Sequence, residues 1–83
     1  MLDISQAVDY KIPRTVEVDG ARVVSRDGTI YLTRAGDKTE RKVGIGLPLA
    51  ATASGRYIAA IAPRPNAKPN ESPSVAIVYE VSP

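Results

Sequence analysis

Beyond Pro13 the apolar residues of this chain recur at every second position, the period of strands that turn one face to a core. Asp19-Gly20 falls between two such runs and suits a two-residue type I′ hairpin turn, whose central positions both need positive φ. The turn pairs Val18 with Ala21, Glu17 with Arg22 and Val16 with Val23, so opposite charges meet on one face and valines on the other. A second Asp-Gly, Asp27-Gly28, sets Val24 opposite Tyr31, Val23 opposite Leu32 and Ser25 opposite Ile30. Val16, Val23 and Leu32 then share one face of a three-stranded meander. Gly36-Asp37 marks a third turn, but a two-residue loop there would set Leu32 opposite Arg41 and waste the core face.

Further on, Val43, Ile45, Leu47 and Leu49 alternate with Gly44, Gly46 and Pro48, which predicts one strand with a single buried face. Glycines on the other face point to a bulge, a barrel corner or close approach by another backbone. Pro48 places the strand at an edge or an end. Ala50 to Ser54 suits one helical turn closed by Gly55. Tyr57 to Ile61 also fits a short helical stripe, but Pro63 cuts it off, and a strand is the better reading. Val75, Ile77, Tyr79 and Val81 alternate through the last strand.

Five to six short strands joined by tight turns predict an all-β fold, a small antiparallel barrel or sandwich of OB-like or SH3-like kind. Before Pro13, Asp3 followed by Gln6, with Ile4, Ala7 and Val8 on one face, matches the start of a short helix ending near Tyr10. An extended arm is the alternative. The 83 residues are read as one domain, near the lower size limit for independent folding.

Composition narrows the chemistry. Cysteine and histidine are both absent, which excludes the common zinc sites and every Cys–His or Ser–His–Asp nucleophile within the chain. Asp19, Asp27 and Asp37 sit in predicted turns, where aspartate serves the backbone; no carboxylate pair stands out for acid–base work, and no oxygen ladder for calcium surrounds them. Gly44-Ile45-Gly46 lacks the Lys-Ser/Thr of a nucleotide-binding loop. No catalytic residue, metal or cofactor is expected. Apolar runs fall short of the roughly 18 residues a membrane span needs, and the amino terminus has no signal-peptide pattern. A cytoplasmic or virion location is the expectation.

Net charge is only +2, yet it is unevenly spread. Between Arg41 and Asn70 lie Arg41, Lys42, Arg56, Arg64 and Lys68 with no acidic residue, while the first twenty positions are acidic on balance. Such a stretch is ordinary solvated surface or a basic face for phosphate or an acidic protein. Ser25-Arg26-Asp27-Gly28-Thr29-Ile30-Tyr31 resembles the Ser-basic-x-Gly-x-x-Tyr wing of filamentous-phage single-strand-binding proteins, and Ser54-Gly55-Arg56-Tyr57 resembles a Gly-x-Tyr strand later in that family. The resemblance implies a nucleic-acid face in which Tyr31 and Tyr57 stack bases while Arg26, Arg34, Lys38, Arg41 and Lys42 lie near phosphate. The plainer alternative has Tyr31 covering Val24 and Tyr79 packing in the core.

Residues 62–73, Ala-Pro-Arg-Pro-Asn-Ala-Lys-Pro-Asn-Glu-Ser-Pro, hold four of the seven prolines and no large apolar side chain. A structureless connection of about a dozen residues is uncommon in a compact domain and is usually functional or disordered. Proline pre-extends it and lowers the entropy lost on docking. Arg64, Pro65, Asn66, Lys68 and Pro69 are the expected partner-binding residues of a protruding loop. The expected function is a non-enzymatic protein–protein interaction or assembly module, as in a phage structural component or a small inhibitor of a host protein, with a protein partner or a homo-oligomer as its complex. Single-stranded nucleic-acid binding is the alternative.

Overall fold

A computed structural model describes residues 9–64, 68–70 and 73–82. The described chain is all-β, with seven strands: β1 (Arg14–Val18), β2 (Ala21–Arg26), β3 (Thr29–Arg34), β4 (Arg41–Ile45), β5 (Leu47–Ala51), β6 (Tyr57–Pro63) and β7 (Ser74–Glu80). They form two antiparallel sheets, β1-β2-β3-β4 and β5-β6-β7, which do not close into a barrel. The expected helix before Tyr10 lies almost wholly outside the described residues; Asp9 to Ile12 form a turn in which Ile12 N donates to Asp9 O at 3.3 Å.

Both Asp-Gly hairpins keep the register that their side-chain pairing demands, including Val16↔Val23, Glu17↔Arg22, Val23↔Leu32 and Val24↔Tyr31. Their turns differ. Asp27 (φ 51) and Gly28 (φ 79) both take the positive φ of a type I′ turn, whereas in the first hairpin only Gly20 does (φ 78). The expected type I′ turn at Asp19-Gly20 is therefore corrected. The Asp19 carbonyl is engaged elsewhere, accepting from Ser54 N at 2.6 Å, so a tertiary contact shapes this turn.

Seven strands exceed the five or six expected because the run 43–49 is split. Gly46 (φ 131) ends β4 and starts β5 in the other sheet, and a Cβ there would lie 2.5 Å from Ile61 O. The glycine thus supplies both the backbone conformation and the clearance for the crossing. Gly46 N donates to Gly28 O at 2.7 Å, tying the crossing to the β2–β3 turn. Gly44 leaves room for the Tyr79 ring, whose atoms would stand 2.6 Å from an added Cβ. The Tyr79 hydroxyl then donates to Ile45 O at 2.7 Å, linking β7 to β4.

The register that seemed to waste the core face is the one adopted: Leu32 pairs with Arg41. A bulge at Val43, between Tyr31↔Lys42 and Ile30↔Gly44, restores the apolar side afterwards, and Val43 packs on the core. Arg41 turns its guanidinium outward to donate to Ser82 O at 3.0 Å. The core draws Val23, Ile30 and Leu32 from the first sheet and Ile58, Ala60 and Val81 from the second sheet and its end. Two buried hydroxyls are satisfied: Ser25 accepts from Arg14 N at 3.2 Å, and Ser74 shares a 2.6 Å hydrogen bond with the Tyr10 hydroxyl. The Ala50–Ser54 turn is shorter than expected, since Ala50 and Ala51 stay in β5 and a 3-10 turn spans Ala53–Gly55.

Candidate partner-binding surfaces

The β6–β7 hairpin carries the proline-rich loop. Its ladder runs from Tyr57↔Glu80 to Pro63↔Ser74 and is closed beyond by Arg64 N donating to Pro73 O at 2.8 Å. Ala62 and Pro63, assigned to the loop on composition, therefore belong to β6. Proline is tolerated at that position because its nitrogen points to the β5 side, where β5 begins only opposite Ile61. Among the expected contact residues, Arg64 is half-buried at the base of the loop, and Lys68 and Pro69 are exposed. Pro65 and Asn66 lie outside the described residues.

The exposed face of the four-stranded sheet gathers part of the second candidate set. Strand alternation puts Thr15, Glu17, Arg22, Val24, Thr33 and Lys42 on this face with Arg26 and Tyr31. The Arg26 guanidinium stacks 4.3 Å from the centre of the Tyr31 ring and holds both carboxylate oxygens of Glu40, with Nη1 to Oε2 at 2.9 Å. That pairing holds the Glu40 carboxyl below, and the Arg26 guanidinium above, their ordinary pKa values, the shared hydrogen bond being the main cause of both shifts. Glu17 and Arg22 form a second ion pair at 2.7 Å. An open depression of about 620 Å³ runs over this face beside Thr15, Arg22, Val24 and Arg26.

Other members of that set are placed elsewhere. Arg34 donates to Ser54 O and to Ser82 O, each at 2.7 Å, and Arg41 reaches the same Ser82 oxygen, so both guanidinia hold the end of the chain. Lys38 sits in the exposed β3–β4 connection. Tyr57 belongs to the other sheet, beside Arg56 at 5.7 Å and 3.4 Å from Glu80 Oε2. Tyr31 and Tyr57 therefore do not share a face. The Ser25–Tyr31 segment is a tight hairpin whose Gly28 lies 3.3 Å, measured from an added Cβ, from Tyr10 Cβ.

A third surface was missed by the sequence reading. On the outer side of the three-stranded sheet lie Tyr57, Ala59, Ala76 and Val78, with Val78 69 % and Tyr57 43 % exposed. The signal was present in β7, where Ala76 and Val78 are apolar on the face opposite to Val75 and Ile77. A strand apolar on both faces is the pattern of one covered on both.

Among the described residues no group of three or more acidic side chains is placed to hold a metal ion, and no helix is long and apolar enough to cross a membrane. No family model matches this chain, and no curated protein or solved structure matches it either.

Proposed function

We propose that this chain is a non-enzymatic protein–protein interaction or assembly module that presents its basic, proline-rich loop to a protein partner. The observation that carries this reading is the closure of the β6–β7 ladder at Arg64 and Pro73, which gives the loop a paired stem instead of a loose base. A stem that is already ordered leaves less entropy to lose when the loop docks. The basic composition of the loop favours an acidic partner, and the spaced prolines favour an aromatic-lined groove. A two-layer sandwich describes the scaffold better than an OB-like or SH3-like barrel, because one core joins two sheets with separate edges. A phage-type structural component or a small inhibitor of a host protein, in the cytoplasm or in a virion, suits such a scaffold.

The nucleic-acid alternative draws on the Arg26–Tyr31–Lys42 face, but Arg26 already covers the Tyr31 ring and is neutralised by Glu40. Replacing residues 65–72 with a short Gly-Ser turn tests the proposal. The shortened chain is expected to keep its circular dichroism spectrum and melting temperature within a few degrees while losing its partner in affinity capture with the purified host proteome. Retention of the same partner would remove the loop from the contact. Fluorescence anisotropy with a labelled oligonucleotide separates the alternative: micromolar binding that weakens steeply with salt would favour it.

A further inference from the structure

Among the described residues each sheet ends in two edge strands, and three of these four edges are blunted. In the first sheet, β1 is five residues long, follows Pro13 and carries Arg14 and Glu17. On the far side, β4 opens with Arg41 and Lys42 and is broken by the Val43 bulge. The edge of β5 contains Pro48 and a bulge between Pro48 and Ala50. Charge, proline and bulges are the devices by which natural sheets avoid pairing with other chains. The β7 ladder, preceded by Pro73, runs seven residues in unbroken register with neither proline nor bulge inside it, and its single charge, Glu80, stands at its last position.

The phase of the β6–β7 ladder identifies the free backbone groups. Arg64 N bonds Pro73 O, and Val81 N bonds Arg56 O. In an antiparallel pair the bonded residues alternate with non-bonded ones, so Val75, Ile77 and Tyr79 turn their N–H and C=O groups to β6. Ser74, Ala76, Val78 and Glu80 turn theirs outward. Ser74 is buried and capped by Tyr10, which closes that end of the edge. Among the described residues the open stretch is therefore Ala76–Glu80, with Val78 at its middle and all three outward-facing residues exposed.

We propose that the β7 edge pairs with the β7 edge of a second copy of this chain, antiparallel and centred on Val78, joining the two three-stranded sheets into one. The occupant follows from self-complementarity. A two-fold axis at Val78 sets Val78 against its own copy and Ala76 against Glu80 of the other chain, so every outward N–H and C=O in the stretch meets a partner. The same arrangement keeps the two Glu80 carboxylates at opposite ends, whereas a parallel pairing would stack them. It also sets Val78, the most exposed large apolar side chain among the described residues, beside its own copy on the outer face. A domain of this size without disulfides gains most from such association. The pairing is separate from the loop contact proposed above and does not depend on it.

The test is sedimentation equilibrium over a concentration series, combined with amide hydrogen exchange. The wild-type mass is expected to rise from 8.8 kDa toward twice that value with concentration. Over the same series the amides of Ala76, Val78 and Glu80 gain protection, while those of Val75, Ile77 and Tyr79 are protected throughout. Val78→Pro removes an outward N–H without taking a bond from β6, and Val78→Lys sets like charges against each other. Both variants are expected to stay folded and at the monomer mass, and replacement of residues 65–72 leaves the dimer intact. A wild type that stays at 8.8 kDa throughout, or a dimer that survives both Val78 variants, overturns the proposal. A dimer lost with the loop but kept in the Val78 variants would assign self-association to the loop instead.

Discussion

The two sheets of this molecule meet solvent in opposite ways. On the outside of β1-β2-β3-β4 nearly every long side chain already has a partner: Arg22 holds Glu17, Arg26 holds Glu40 and stacks on Tyr31, and threonines fill the spaces between them. On the outside of β5-β6-β7, Ala59 and Ala76 adjoin the exposed Val78, Tyr57 meets Arg56 and Glu80 at one end, and among the described residues the adjoining edge carries unpaired backbone groups. Net charge and overall composition average this contrast away. A face that satisfies itself has little to offer a partner, while an apolar face beside an open edge has both area and hydrogen bonds to give. The contrast therefore moves the centre of interest from the basic residues, where charge alone directs attention, to the far sheet and its hairpin.

The contrast holds only if the sheets share one core, and the joint between them is where it breaks most readily. Gly46→Ala places a methyl group 2.5 Å from Ile61 O at φ 131. Backbone cannot yield there as a flexible side chain would, and the loss is expected to reach about 3 kcal/mol or more, enough to unfold a large fraction of so small a domain. Gly36→Ala is the matched control, since φ is again positive but nothing lies within 4 Å of the added methyl. Its cost should be about 1 kcal/mol. Urea denaturation of both variants measures the difference. Equal losses would show that the crossing at Gly46 does not hold the sheets in place.

Tyr79→Phe is a milder version of the same test. It leaves the ring over Gly44 and removes only the hydroxyl that reaches Ile45 O at 2.7 Å. A loss of about 1 kcal/mol is expected, the usual net worth of one hydrogen bond. A neutral result would mean that the ring contact alone links β7 to β4.

Much of this arrangement is legible in the chain, and the exceptions share a cause. The hairpins at Asp19-Gly20 and Asp27-Gly28 are set by residues close in sequence, and side-chain pairing fixes their register within a few positions. The turn at Asp19 departs from its expected type because Ser54, thirty-five positions away by residue number, binds its carbonyl. Leu32 can face Arg41 because the Val43 bulge and the acceptor at Ser82 correct the mismatch, and neither is visible locally. The run 43–49 has an unbroken period of two, so nothing in the alternation separates β4 from β5; only the two glycines hint at a corner. Candidate site residues were legible as types and not as a set. Arg34 and Arg41 look like free cations in the sequence and serve as clamps on the chain end. Tyr31 and Tyr57 look like one stacking platform and occupy different sheets. The apolar outer face of β7 was readable in principle, because Ala76 and Val78 break the polar half of the alternation, but that irregularity is weaker than the conspicuous prolines beside it.

The smallest expected effect concerns the self-satisfied face. Arg26 donates to Glu40 across the sheet and lowers the pKa of that carboxyl. A carboxylate whose folded pKa lies below its unfolded value of about 4.5 stabilises the fold above that value and ceases to do so as pH falls through the folded pKa. Arg26, raised from an already high value, stays charged throughout this range. The expected signature is therefore an acid-side loss confined to the first sheet: the Glu40 side-chain resonance titrates below the ordinary glutamate range in wild type and moves upward in Arg26→Gln. Because the pair is solvent-exposed, its effect on global stability is small. The titration midpoint, not the melting temperature, is the discriminating measurement. A Glu40 midpoint unmoved by Arg26→Gln would mean that the ion pair is not held in solution, and the first sheet's face would then have a free arginine and an uncovered Tyr31 ring to offer a partner after all.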